Sequence, residues 1–112
     1  MIDAGLITEI LSVYRKHGWT LRRVLLSDKL KTSLGSKCGD VFGGIKPEAS
    51  TLDGLWFSRA SKGTLEAWEL RHLSANPYAL VEVMESRIEE NEREERLRET
   101  EGRMQNSIAR NN

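Results

Sequence analysis

The sequence predicts an α+β fold: a small three-stranded antiparallel sheet covered by an N-terminal helix and a long C-terminal helix. Three observations carry this. Residues 2–17 repeat apolar side chains at helical spacing, residues 52–73 read as two strands around a tight turn, and residues beyond 76 return to a helical pattern. At 112 residues the chain fits one domain with one core.

The first helix places Leu6, Ile7, Ile10, Leu11, Val13 and Tyr14 on one broad face. Asp3 suits its positive end, Arg15, Lys16 and His17 crowd the last turn, and Gly18 supplies the stop. Trp19–Leu26 follows as a strand, favoured by Trp19, Thr20 and Val24. Its alternation is broken by the adjacent Leu25 and Leu26. Ser27 can cap a short helix over Asp28–Leu34, with Leu30 and Leu34 inward and Gly35 as terminator.

Residues 35–51 read as a long loop punctuated by Gly35, Gly39, Gly43, Gly44 and Pro47, with Val41 and Phe42 pinning it to the core. No Walker-type or Gly-x-Gly-x-x-Gly pattern accompanies these glycines, which argues against a phosphate cradle. Leu52–Arg59 and Thr64–Leu73 form the hairpin, turning at Ala60-Ser61-Lys62-Gly63.

Asn76-Pro77 reads as the start of the next helix, with Leu80, Val81, Val83, Met84 and Ile88 inward. Glu89/Arg93, Glu92/Arg96, Glu94/Arg98 and Glu99/Arg103 then offer four i,i+4 ion pairs on a solvated helix. The expected organisation is one domain over residues 1–88. Residues 89–112 are a charged helical extension that frays after Gly102 into a flexible end.

Composition excludes several classes. Net charge is zero, with a mildly basic body (11 Lys/Arg against 8 Asp/Glu in residues 1–74) and an acidic tail (6 against 9 in 75–112). That balance draws the chain to neither nucleic acid nor an anionic membrane. The single Cys38 excludes an internal disulfide and a multi-cysteine zinc cluster. The first residues lack the basic stretch of a signal peptide and no apolar run approaches ~18 residues, so a cytoplasmic protein off the membrane is expected.

Five sets of residues could carry function. The hairpin holds Asp53 at the mouth of one strand and Glu69-Leu70-Arg71 in the next. With the flanking helices, that order resembles the core of the PD-(D/E)xK nucleases, over roughly half the chain. The resemblance implies Mg²⁺ held by Asp53 and Glu69, a catalytic role at Arg71, and Glu9 as a third carboxylate. Arg71 stands where that family has Lys, and a guanidinium with a pKa above ~12 is a poor proton shuttle. The family's last core strand has no counterpart. Strand parity, taken with a single core, sets Asp53 with Leu55 and Phe57, and Glu69 with Arg71 on the opposite face; a bulge, or a core built on Trp56 instead, would bring Asp53 and Glu69 to one face.

Two isolated histidines, His17 and His72, have no carboxylate at metal-binding spacing and read as structural. Cys38 beside Lys37 would need one of them as a base to act as a nucleophile, and reads as a bystander thiol. Trp19, Arg22, Arg23, Lys29, Lys31 and Lys37 form the best binding patch in the sequence, suited to a protein surface and secondarily to a nucleic-acid backbone. The charged C-terminal helix could dock a partner, although its heptad register breaks at Glu95.

The function expected from the sequence is therefore non-catalytic: a small protein that binds another macromolecule, most simply a protein, without a cofactor. Self-association is compatible with this. The alternative is a Mg²⁺-dependent nuclease-like enzyme using Asp53, Glu69, Arg71 and Glu9.

Overall fold

The computed structural model describes residues 2–110 and is α+β, with a five-stranded mixed sheet. The chain runs α1 (Ala4–Lys16), β1 (Thr20–Leu26), α2 (Asp28–Leu34), a 3₁₀ turn (Gly35–Lys37) and α3 (Cys38–Val41). It continues as β2 (Glu48–Ala49), β3 (Gly54–Ala60), β4 (Leu65–His72), β5 (Ala79–Glu85) and α4 (Glu90–Arg110). The sheet order is β2-β1-β3-β4-β5. β2 runs parallel to β1, and every other pairing is antiparallel.

Local chemistry sets the element ends. The Asp3 carboxylate accepts from the Leu6 N–H at 2.9 Å and caps α1. Gly18 turns the chain at φ 85°, a conformation that a Cβ would oppose. Ser27 Oγ accepts from the Leu30 N–H at 3.2 Å to start α2. In the β3–β4 turn Gly63 sits at φ 60°, and Ser61 N–H donates to Leu65 O at 2.8 Å.

The sheet separates two cores rather than backing onto one. On one face Val24, Leu26, Leu55, Phe57 and Leu73 pack with Ile7, Ile10 and Leu11 of α1, and with Leu30, Leu34 and Phe42 below it. On the other, Leu25, Trp56, Trp68, Leu70 and Met84 pack with Leu97 and Met104 of α4. A strand buried on both sides reads as a continuous apolar run. This explains why Val24–Leu26 and Leu55–Phe57 show no alternation.

Several expectations are corrected. The sheet has five strands rather than three. Residues 77–88 form no helix: Leu80, Glu82 and Met84 face α4, while Ala79, Val81 and Val83 face the other way, a period of two. The β-branched valines suit a strand, and the otherwise bare edge of β4 gives it a partner. Residues 35–51 are not wholly loop, since they hold the 3₁₀ turn, α3 and β2.

Nor are residues 89–110 a solvated extension. α4 runs unbroken through Gly102 to Arg110, and it buries Leu97, Thr100, Glu101 and Met104. Only Glu94/Arg98, at 3.9 Å, forms among the four anticipated i,i+4 pairs. The arginines instead reach across the fold: Arg96 and Arg103 to Glu82, and Arg98 to Glu48. The end of the expected frayed tail, Asn111-Asn112, lies outside the described residues.

Candidate functional site

A cleft of about 480 Å³ opens where α1 leaves β4 uncovered. Its walls are apolar, from Leu6, Ile10 and Val13 on α1 together with Trp19 and Pro77. Its polar groups are Glu9, Tyr14, His17, Glu69 and Arg71. The volume lies within the usual range of a ligand or anchor pocket.

Each polar group has a structural origin. The β3–β4 register sets Phe57 opposite Glu69 and Leu55 opposite Arg71, so all four share the α1 face. This corrects the parity argument, which assumed one core: Leu55 and Phe57 serve the α1 core, whereas Trp68 and Leu70 serve the α4 core. Tyr14 stacks on Phe57 with centroids 4.0 Å apart, and its hydroxyl donates to Glu69 Oε2. Trp19 stands edge-on to Tyr14 and under Arg59, whose Cζ lies 4.3 Å from the ring centre. Arg71 is buried at 8% exposure and donates through Nη1 to the His72 carbonyl.

The Tyr14 phenol is pushed well above its ordinary value of 10.0, first by burial and then by Glu69; Arg71 pulls the other way. A raised pKa means the folded state holds this proton more tightly than the unfolded chain does. The associated stability is complete below pH about 10 and is lost as pH rises above it. An alkaline titration of phenolate absorbance is therefore expected to show one late-titrating tyrosine. Tyr14→Phe should remove that late step and cost about 0.5–1.5 kcal/mol, the usual worth of one hydrogen bond. A late step that survives in Tyr14→Phe would refute this.

The other expected residues divide among different places. Asp53 is not in the cleft. Its carboxylate accepts from Ser27 N–H at 2.6 Å and Ser27 Oγ at 3.1 Å, tying the start of β3 to the cap of α2. Asp53 pairs with Leu73, and Glu69 lies four residues away along the ladder. At about 3.3 Å per residue that is roughly 13 Å. Among the described residues no group of three or more His, Cys, Asp or Glu is placed to hold a metal ion. Glu9, Glu69 and Arg71 all line the cleft, with the Glu69 carboxylate accepting from Tyr14 and Arg71 in ion-pair contact with neither glutamate.

The basic patch is dispersed. A β-bulge between Leu21 and Arg23 turns both Arg22 and Arg23 away from α1. Arg22 donates to Ser58 Oγ at 3.0 Å and stacks on Trp68 at 4.6 Å. Arg23 Nη1 lies 2.5 Å from Glu94 Oε2, an ion pair without hydrogen-bond geometry. Lys29, Lys31 and Lys37 are exposed on α2 and the 3₁₀ turn, whereas Trp19 lines the cleft on the α1 side.

His72 packs edge-on to Tyr78, and its pKa is lowered by burial against an opposing pull from Asp53. Cys38 is half-buried against the α1 core. Tyr14 and Pro77 were not anticipated as site residues; Tyr14 is hidden among the apolar positions of α1. None of the described helices is long and apolar enough to cross a membrane.

No known protein family, curated protein or solved structure matches this chain. Any functional reading therefore rests on the cleft itself.

Proposed function

We propose that this chain is a non-catalytic binding protein that receives an apolar segment of a protein partner in the cleft between α1 and β4. The observation that carries this is the cleft's construction. Leu6, Ile10, Trp19 and Pro77 form apolar walls, and Val13 stands 56% exposed at the rim. Exposed apolar surface gathered at a concave site favours an anchored side chain or short helix. Three of the polar groups inside are already engaged: Tyr14 with Glu69, and Arg71 with the backbone carbonyl of His72. They orient a guest more readily than they perform chemistry, because among the described residues no nucleophile, base and oxyanion donors converge there.

The test is affinity capture from the source cells, followed by direct titration of the protein recovered. Val13→Glu and Leu6→Glu are expected to weaken binding at least ten-fold, in line with the ≥ ~1.4 kcal/mol typical of a buried anchor. Lys29→Ala, Lys31→Ala and Lys37→Ala together are expected to leave it unchanged. Binding that follows the lysines instead would overturn the reading in favour of an electrostatic, nucleic-acid-type surface. So would cleavage of DNA in Mg²⁺ or Mn²⁺ that Glu69→Gln abolishes, which would reinstate the nuclease-like alternative.

A further inference from the structure

We infer that two copies of this chain pair antiparallel along β5, in a register that brings Glu85 of each copy to Arg71 of the other. Three features of the sheet converge on this, independently of the cleft's proposed guest.

The first is an open edge. β5 ends the sheet, and its ladder to β4 is regular throughout. His72 N–H donates to Tyr78 O and Ser86 N–H donates to Thr64 O, both at 2.9 Å. Even-numbered residues of β5 therefore direct their backbone groups toward β4, and Ala79, Val81, Val83 and Glu85 direct theirs outward. Natural edge strands are often guarded by charged side chains, Lys above all, by Pro or by a bulge. Between Ala79 and Glu85 β5 carries no Lys, Pro or bulge, and its two charges, Glu82 and Glu85, each have a basic partner in the register below.

The second is apolar exposure. Val81 and Val83 are 51% and 46% exposed, side by side on the face that α1 leaves bare. They are two of the three exposed large hydrophobic residues among those described.

The third is an unpaired buried charge. Arg71 is the only buried basic side chain among the described residues, and it belongs to none of their ion pairs. A buried cation without a carboxylate is costly, and an incoming carboxylate relieves that cost. Arg71 lies opposite Ala79, whose methyl group leaves the way to the edge open.

One two-fold register satisfies all three. With Glu82 of both copies on the axis, Val81 falls opposite Val83 of the second copy, and Ala79 opposite its Glu85. All of these positions carry outward backbone groups, so each such pair exchanges two backbone hydrogen bonds. Glu85 then sits two strand spacings from Arg71, about 10 Å between Cα atoms, which two long side chains span. Its carboxylate already accepts from Thr64 Oγ1 at 2.6 Å through one oxygen, leaving the other for the guanidinium. On the opposite face Leu80 meets Met84 of the second copy. The two Glu82 carboxylates are each flanked by Arg96 at 3.6 Å and Arg103 at 3.7 Å, which offsets their repulsion. A slip of two residues in either direction moves Glu85 away from Ala79, so the Arg71 contact selects this register. The α1 wall of the cleft, with Val13, stays open.

Sedimentation equilibrium on the full chain tests the state, and a cysteine cross-link tests the register. The wild type is expected to be a dimer. Val81→Lys with Val83→Lys is expected to be a folded monomer. Glu85→Arg, at an exposed position, is expected to weaken the dimer at least about ten-fold. In a Cys38→Ala background, Glu82→Cys is expected to form an interchain disulfide on mild oxidation. Axis residues of a non-hydrogen-bonded pair lie about 4.5 Å apart at Cα, within disulfide range. Lys62→Cys, in the distant β3–β4 turn, is expected to form none. A wild type that stays monomeric at high micromolar concentration overturns the proposal. So does a dimer indifferent to the valine pair, or one that cross-links no better through Glu82→Cys than through Lys62→Cys. Because Val13 and Leu6 are untouched here, failure of the dimer leaves the cleft reading standing, and the converse also holds.

Discussion

Truncation of the chain after Glu89 is expected to abolish cooperative folding. The charged composition of the last 23 residues makes them look dispensable, but they are the lid of one of two cores. Leu97 and Met104 are fully buried, and Thr100 and Glu101 lie between them on the same stripe. Losing a buried Leu or Met side chain costs about 2–5 kcal/mol each. Two such losses approach the whole stability of a small domain, about 5–15 kcal/mol. Removing α4 also uncovers Trp56, Trp68, Leu70 and Met84 at once. Circular dichroism and thermal denaturation check this: no cooperative transition is expected for the truncated chain. Leu97→Ala should melt cooperatively with about 2–5 kcal/mol less stability. A truncated chain that melts like the full one would mean that the sheet needs cover on its α1 face only.

The same helix shows where the sequence was legible and where it was not. Ends marked by a specific residue were readable: Asp3 and Ser27 cap through their side-chain oxygens, and Gly18, Gly35 and Gly63 turn the chain at positive φ because they lack a Cβ. The buried stripe of α4 was not. It runs Leu97, Thr100, Glu101, Met104, and a glutamate in it reads as solvent-facing. Glu101 is buried because it accepts from Trp56 Nε1 at 2.9 Å and from Arg98 Nη1 at 3.0 Å, partners on a distant strand and one turn earlier in α4. No local pattern encodes the first of these.

β5 failed for a different reason. Leu80, Val81, Val83 and Met84 fit a helical face nearly as well as an alternation, and Asn76-Pro77 mimics a helix cap. What decides is nonlocal: β4 offers an unpaired ladder from Leu65 to Arg71. Counting side-chain parity along the hairpin was sound, yet it led to the wrong pairing of faces. It assumed that Phe57 and Trp68 serve the same core, and the register sets them on opposite sides. Of the residues singled out, Glu9, Glu69 and Arg71 line the same cleft, and Asp53 is drawn off to cap α2 through Ser27. A one-residue bulge in β1 was enough to turn Arg22 and Arg23 away from Trp19.

Trp56→Ala is expected to be the most damaging single substitution among the three tryptophans, by about 3–5 kcal/mol from lost burial alone. Trp56 is fully buried at the centre of β3 and stands edge-on to Trp68, with centroids 6.3 Å apart at 70°. Its indole N–H is also one of the donors that let Glu101 stay buried at 8% exposure. Losing it leaves that carboxylate leaning on Arg98, whose side chain is half exposed. The two contributions separate experimentally. Trp56→Phe keeps most of the apolar volume and removes the donor, so it should cost about 1–3 kcal/mol, the range for stranding a buried polar partner. In that background Glu101→Leu should recover part of the loss, because an apolar pair needs no donor. Trp19→Ala, at the half-buried rim of the cleft, should cost about 1 kcal/mol, in line with an average substitution. Urea denaturation of the four variants gives the ordering directly. Equal losses for Trp19→Ala and Trp56→Ala would place the fold's main support on the α1 side. The expected gap places it where the indole, the carboxylate of Glu101 and the guanidinium of Arg98 join the sheet to α4.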